Sequence, residues 1–483
     1  MTFTPLSPKQ AMIFSGLALL ILAFFSVGYY HPDEHFQIME FAAWKLHIAR
    51  ADQLAWEFPA RMRPTIQPAM VVALSKIMGW FGCSDPFFIA LILRLLTAGL
   101  TFYALRMIYL RYSDGIKNEI LKSWFLLLSF LLWFTLYNGV RFCSENWSGD
   151  LFIIGFCYLF IIKSPPRNIH YFITGLFLGL SFIFRYQQGF LIAGFLAWLL
   201  LVRKERMFNM MILAVGIILV VFSGLLIDRW FYGEWTVTMW NYFDQNILAD
   251  KISGFGVEPW WFYFLDVFNR AVPPFSLVYI ISTLVVFIFL RKDPLTWTLL
   301  PFIFVHFLIT HKETRFFYPI IAFLPILIIK TCQLANDRWP EKFLKNRFLL
   351  IFAKIFWIVN ILLLITTFFN PAEEQVNMFD SIYHKCNGPA TLYYYSENPY
   401  YRAKEITFYK RGNLTIKQLV SPDKPEILVG RKALVAVRGK DPEITFFRGE
   451  KLVYSSFPEW IKKFNFNHWL DRTNIWYVYE IAN

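Results

Sequence analysis

The sequence predicts a polytopic α-helical membrane protein that ends in a small α/β domain, and three observations predict it. Of its 483 residues 57% are hydrophobic and only 17% are charged, against roughly a quarter charged in soluble domains. Apolar runs approaching the roughly 20 residues a helix needs to cross a bilayer recur from residue 11 to residue 369. Beyond residue 370 these runs stop, and short alternating patterns flanked by Pro and Gly replace them. The 20% aromatic content, with 54 Phe and 18 Trp, suits lipid-facing helices and interfacial belts.

Eleven spans are expected, at 11–30, 86–105, 121–138, 147–162, 169–184, 189–202, 207–227, 273–290, 296–310, 316–332 and 348–369. The first has Lys9 before it but no small-residue cleavage site, so it reads as a retained span rather than a signal peptide. The run 65–82 is apolar but is interrupted by Pro68 and Lys76. Counted as a span, it would reverse the orientation of everything downstream. Left out, with the N-terminus in the cytoplasm, it lets every short basic cluster fall inside. These are Arg106/Arg111/Lys117/Lys122, Lys163/Arg167, Arg203/Lys204/Arg206, Arg291/Lys292 and Arg338/Lys342/Lys345/Arg347. The run 65–82 is therefore expected to lie in or near the outer interface. The net charge of +13 then reflects basic loops that hold the topology, and no nucleic-acid partner is expected. Residues 1–370 form the membrane domain, with 31–82 as its outer first loop. Residues 371–483 form an α/β domain on the outer face, with strands expected at Glu426–Gly430 and Lys432–Val437. Five cysteines (Cys83, Cys143, Cys157, Cys332 and Cys386) are scattered singly, which implies neither a disulfide framework nor a zinc site.

With this topology the unusual polar clusters all emerge on the outer face. They are His31–Gln37, Arg141–Asn146, Arg185–Gln188, Asp228–Glu234 and His311–Phe316. Polar groups from distant parts of the chain on one membrane face point to a single site between helices. In His31-Pro-Asp-Glu-His-Phe-Gln37, the adjacent carboxylates Asp33 and Glu34 cannot point the same way on a helix or strand. One is expected to face a reacting centre and the other to orient its surroundings. The bland alternative is an acidic helix start after Pro32. On local residues the two readings stand level, and the flanking His31 and His35 favour a site. No third ligand is spaced for a metal, so no metal or other cofactor is expected.

His311-Lys-Glu-Thr-Arg315 sits between two apolar spans. Its His311, Lys312 and Arg315 suit a phosphate, with arginine as a bidentate donor and lysine as a point charge. Headgroup anchoring by snorkelling side chains is the alternative, and the positive-inside rule disfavours cations there. Arg141, Glu145, Arg185 and Gln188 read equally well as ligand contacts or as internal pairs that orient helices. The aromatic stretch from Trp230 to Trp261 suits carbohydrate stacking or an interfacial belt. Its candidate contacts are Tyr232, Glu234 and Trp260.

Five motifs occur together and in order: His31–Gln37, Trp56–Pro68, Tyr232–Phe243, Phe255–Tyr263 and the His-Lys-Glu-Thr-Arg-Phe-Phe-Tyr-Pro run at His311–Pro319. On these the chain resembles glycosyltransferase family 22 of the GT-C superfamily, which holds mannosyltransferases of GPI-anchor and N-glycan precursor assembly. The resemblance covers residues 10 to about 370. It implies a multispan GT-C fold with its active site on the outer or lumenal face. It also implies a polyprenyl- or dolichyl-phosphate mannose donor, a glycan or glycolipid acceptor and inversion at the anomeric carbon. The family's acidic pair falls on Asp33 and Glu34, with the base role carried to Asp33. The base and the cationic turn would then act from opposite sides of the sugar. The length and the lack of an evident ER retrieval signal favour a bacterial inner-membrane enzyme. A transporter would want ionisable groups near mid-membrane and repeat symmetry, and neither is seen. A polysaccharide ligase or polymerase shares the lipid-phosphate chemistry and stays open as the alternative.

Overall fold

The computed structural model describes residues 6–162, 165–340, 342–385, 388–420, 432–447, 450–465, 468–473 and 475–481. The expected strand at Glu426–Gly430, together with Lys163 and Cys386, lies outside these residues. The chain divides into two compact units. The first comprises Met1–Phe25, Pro59–Ala69 and Ile92–Asn370, and the second Ser26–Phe58, Met70–Leu91 and Pro371–Asn483.

The first unit is helical, and each of the eleven expected spans falls on helix. Its main helices are Pro8–Phe25, Glu119–Leu131, Ser144–Ile161, Asn168–Phe184, Met207–Tyr232, Phe275–Phe289, Pro294–Leu308, Leu324–Arg338 and Arg347–Phe369. Pro86–Tyr112 runs from the second unit into the first. Among the described residues, six helical stretches are long and apolar enough to cross a membrane, or seven when the pair Phe275–Phe289 and Pro294–Leu308, bent by 118°, counts as one, against the eleven spans expected. Ile66–Trp80 has 15 residues. At 1.5 Å per residue it spans about 22 Å, short of the roughly 30 Å hydrocarbon core.

Polar residues set the ends of these helices. Asn118 accepts from the amides of Ile120 (3.0 Å) and Leu121 (3.2 Å), and Asn346 from those of Phe348 (2.9 Å) and Leu349 (3.3 Å). Asp293 caps Leu295 (2.9 Å) with Pro294 at the first helical position. Gly233, at φ +83°, closes Met207–Tyr232 with the left-handed turn glycine tolerates.

Between helices, small residues let backbones touch. A Cβ on Gly175 would collide with the Leu213 carbonyl, and one on Gly216 would come within 2.6 Å of the Phe172 carbonyl. These contacts lock Asn168–Phe184 against Met207–Tyr232. Gly149 does the same for the 3₁₀ segment Thr314–Phe323, since its Cβ would lie 2.5 Å from the Pro319 Cα.

In the second unit the tail folds as expected for an α/β domain. Strands β1 (Ala390–Tyr394), β2 (Leu414–Gln418), β3 (Lys432–Arg438), β4 (Lys451–Ser455) and β5 (Trp476–Ile481) form one sheet in the order β2-β1-β3-β5-β4. β1 pairs in parallel with both β2 and β3, while β5 is antiparallel to β3 and β4. Tyr393, Val435, Val437, Phe447 and Tyr479 bury one face, and the helix Glu374–Lys385 packs against β4 and β5. The segment after residue 25 joins this unit. Val27 accepts from the amides of Ala372 (2.8 Å) and Glu373 (3.2 Å), and Gly28, at φ +93°, lets the Glu373 backbone approach.

The glycine seam yields a stability prediction. Gly175→Ala should overpack the helix pair and cost about 1–3 kcal/mol, read as a lower midpoint of thermal unfolding in detergent. Gly16, in Pro8–Phe25, has open space where a Cβ would stand, with no neighbouring atom within 4 Å. Gly16→Ala should therefore leave the midpoint unchanged or raise it, because alanine costs less helix entropy. Equal behaviour of the two variants would contradict the seam.

Candidate active site

The motif His31–Gln37 belongs to the second unit. Pro32 starts a one-turn helix, Pro32–Glu34, whose end groups are closed by their neighbours. His31 Nδ1 accepts from the Asp33 amide at 3.3 Å, and the Glu34 carboxylate accepts from the amides of Tyr30 and His31, each at 3.3 Å. This reciprocal cap uses Glu34 to hold its own turn. The two acidic neighbours therefore differ in environment. Glu34 is buried, whereas the Asp33 side chain is 26% exposed and lies 3.8 Å from His31 Nδ1.

His35 turns inward. Its ring stacks between Tyr29 (5.1 Å) and Tyr409 (5.4 Å), and its Nε2 lies 2.8 Å from Glu40 Oε1. Glu40, fully buried, also accepts from the amides of Thr407 (2.8 Å) and Phe408 (3.0 Å) and from the Thr407 hydroxyl. Burial pushes the Tyr29 hydroxyl up to about 12, with Arg402 opposing. With its ring enclosed in this way, His35 orients the motif. Gln37 donates to Glu57 Oε1 at 3.0 Å. Sequence reasoning missed Glu40. The available signal was a carboxylate five residues after His35 in an otherwise apolar stretch.

The basic motifs assemble in the first unit. Glu145, at the start of Ser144–Ile161, takes Arg185 Nη1 at 2.8 Å and Arg315 Nη1 at 3.3 Å on the same oxygen, Oε1. Arg185 also donates to Ser144 Oγ at 3.1 Å. Glu313 holds Arg315 Nε at 2.5 Å and Nη2 at 3.2 Å, and lies 2.8 Å from His311 Nε2. The Phe316 ring lies beneath both guanidiniums, at 5.2 Å from Arg185 and 5.5 Å from Arg315. Lys312 donates to the carbonyls of Glu258 (3.0 Å) and Ile309. Burial lowers its ammonium below the usual lysine range, against the raising effect of the Glu258 carboxylate. Each cation of the turn already has a protein partner. Arg185 and Arg315 face the two carboxylates Glu145 and Glu313, and Lys312 feels the Glu258 carboxylate, so the formal charges of the cluster balance.

The other candidates are held by neighbours outside this cluster. Gln188 donates to Ser148 Oγ at 3.0 Å, one turn along from Glu145. Arg141 is buried over the Tyr137 ring at 4.7 Å. Tyr232 donates to the Arg63 carbonyl at 3.0 Å, and Glu234 pairs with Arg61, so both fasten the 59–69 segment. Trp260 is 62% exposed. Asp228 accepts from Thr65 Oγ1 (2.6 Å), the Thr65 amide (2.9 Å) and Thr238 Oγ1 (2.6 Å), a buried hub that the sequence did not reveal. Among the described residues, no group of three or more His, Cys, Asp or Glu is placed to hold a metal ion.

The family model of the Alg9-like mannosyltransferases matches residues 11–391. The chain is 27% identical over 304 residues to GPI alpha-1,2-mannosyltransferase 3 of Bos taurus, covering 60% of this chain and 53% of that protein. It is 26% identical over 331 residues to Mannosyltransferase APTG1 of Arabidopsis thaliana, covering 67% and 58%. The chain thus spans little more than half the length of these relatives. The crystal structure of ArnT from Cupriavidus metallidurans superposes with a TM-score of 0.50 at 10% identity and covers 97% of each chain, a likeness of fold. Fold, spans and motifs together make this chain a multi-pass membrane protein that belongs to the Alg9-like mannosyltransferase family, glycosyltransferase family 22.

Proposed function

We propose that the chain is an inverting membrane mannosyltransferase, moving mannose from a polyprenyl-phosphate-linked donor to a glycan or glycolipid acceptor on the outer face. The observation that carries this reading is the buried Arg185–Glu145–Arg315–Glu313 cluster with Lys312 beside it, in a chain of this family.

The chemistry asks for two things. The acceptor hydroxyl oxygen attacks the anomeric carbon and must lose its proton to a base. The bond from that carbon to the phosphate oxygen breaks with its electron pair, so charge builds on the departing lipid phosphate and needs fixed positive charge to receive it. Asp33 is the base in this reading. It is the partly exposed member of the acidic pair, while Glu34 is engaged in capping. Arg315, Lys312 and His311 receive the phosphate. Arg315 offers it a planar donor edge by exchanging part of its contact with Glu313, and Glu145 keeps Arg185 and Arg315 parallel to the task. A phosphate leaving group needs no strong general acid, so none is assigned. Arg141, Gln188, Tyr232 and Glu234 orient or line the substrate path in this reading, and His31, His35 and Gln37 position the base.

Asp33→Asn keeps the shape and removes the proton acceptor. Transfer should fall roughly 10²–10⁴-fold or more, with donor binding and expression nearly unchanged. Near-full activity in Asp33→Asn with loss in Glu34→Gln would exchange the two roles. Activity in both would remove the base assignment.

Arg315 separates phosphate binding from membrane anchoring. Arg315→Ala should weaken donor binding and turnover, and Arg315→Lys should recover only part, because lysine keeps the charge but loses the bidentate fork. Lipid-phosphate release measured against donor concentration reads both effects. Full activity in Arg315→Lys at unchanged donor affinity would leave anchoring as the better account.

A further inference from the structure

The stretch between Met207–Tyr232 and Phe275–Phe289 has an unusual two-sidedness. Its inner side is polar and fastened. Near its start, Thr238 bonds Asp228 (2.6 Å), Asn241 Nδ2 donates to the Arg61 carbonyl (3.1 Å), and Gln187 donates to the Tyr242 hydroxyl (3.0 Å). Near its end the chain is tied to the basic turn. The Glu258 amide donates to the Thr310 carbonyl (2.9 Å), Ser253 Oγ meets Thr310 Oγ1 (3.1 Å), and His311 Nδ1 lies 3.3 Å from the Gly256 carbonyl. Its outer side carries large apolar side chains in the open: Trp235 58%, Trp240 58%, Leu248 59%, Phe255 58%, Val257 66% and Trp260 62% exposed. Burying such a set is worth about 1.5–3 kcal/mol per large side chain, so leaving it in water would be costly.

Position says what covers it. The stretch leaves one apolar helix at Tyr232 and enters another at Phe275, so both of its ends are pinned at a membrane surface. The helix that leads into it, Met207–Tyr232, is itself apolar and open along its length, with Ile218 65% and Phe222 54% exposed. Five of the 18 tryptophans fall between residues 230 and 261. Tryptophan is the residue that settles where acyl chains meet headgroups. The exposed charges Asp250, Lys251 and Glu258 suit the headgroup layer beside it. A span would need a long uninterrupted apolar helix, whereas this stretch is built of short pieces, Thr238–Phe243, Asp244–Leu248 and Lys251–Phe255.

We propose that residues 234–261 form an interfacial flap that lies in the bilayer surface, its aromatic side in lipid and its polar side tied to the His311–Arg315 turn. The partner is the lipid interface itself, and the depth expected is about 5–10 Å into the headgroup–acyl boundary.

The test reads depth, not transfer. With the five native cysteines replaced by alanine, Trp240→Cys, Val257→Cys and, as a deep reference, Ile218→Cys are labelled with an environment-sensitive fluorophore in nanodiscs. The discs carry phosphatidylcholine with a nitroxide placed shallow or deep on the acyl chain. Labels at 240 and 257 should be quenched most by the shallow nitroxide, and the label at 218 most by the deep one. Absence of nitroxide quenching at 240 and 257 would overturn the proposal, with water-like emission if solvent meets that face and apolar-like emission if a protein partner does. A second reading keeps the cysteines. Brominated lipids should quench native tryptophan emission, and the combined Trp235→Phe, Trp240→Phe, Trp260→Phe variant should lose much of the shallow component. An unchanged shallow component would also overturn it.

Discussion

One carboxylate, Glu145, makes the first unit's polar cluster possible. Two guanidiniums that are almost completely buried among apolar helices would be untenable without an anion between them. Glu145 supplies it, holding Arg185 and Arg315 on a single oxygen. Removing one partner of such a buried set typically costs about 3–5 kcal/mol, because the others are left uncompensated. The geometry around it follows. Ser144–Ile161 must start where Arg185 ends its helix. Thr314–Phe323 must lie close enough for Arg315 to reach, and Gly149 allows this by letting the Pro319 backbone touch the helix. Phe316 then fills the space beneath both cations.

The second unit uses the same device on a smaller scale. Glu40 is a buried anion that gathers His35, Thr407 and Phe408. It fixes the inner half of the motif that begins at His31, and the aromatic stack of Tyr29, His35 and Tyr409 encloses it. The outer half is closed locally, since Glu34 and His31 satisfy the amides of their own turn. Asp33 is thereby held on a rigid turn with its carboxylate partly open. For the base role we propose, a fixed direction and a partly open side suit proton removal from an incoming hydroxyl.

Much of this was legible in the sequence, and the reasons are specific. The apolar helices were readable because a bilayer demands long apolar runs, although six or seven rather than eleven are long enough to cross among the described residues. Strand β3 was readable from the alternation at Lys432–Val437, and Asp33 and Arg315 stood out because charge beside a span is costly. The partners were not readable. Glu145 and Arg315 are joined across nearly half of the membrane domain's length, and Thr65 meets Asp228 163 residues away. No local spacing announces such pairs. The turn His311–Arg315 read as three open cations, yet Glu313, inside the same motif, turns back on two of them. Sequence shows which charges are present, and only the fold shows which of them are already answered.

The reaction we propose is one inverting transfer from a lipid phosphate, with Asp33 as the base and Arg315 receiving the phosphate. The most direct measurement incubates the purified, reconstituted protein with β-linked polyprenyl-phosphate mannose and a mannose-ended glycolipid acceptor, and follows free polyprenyl phosphate and the anomeric configuration of the product together. The account predicts equal amounts of released lipid phosphate and of an α-linked mannosyl product. Release without product, a β-linked product, or no turnover across lipid-phosphate sugars would contradict it.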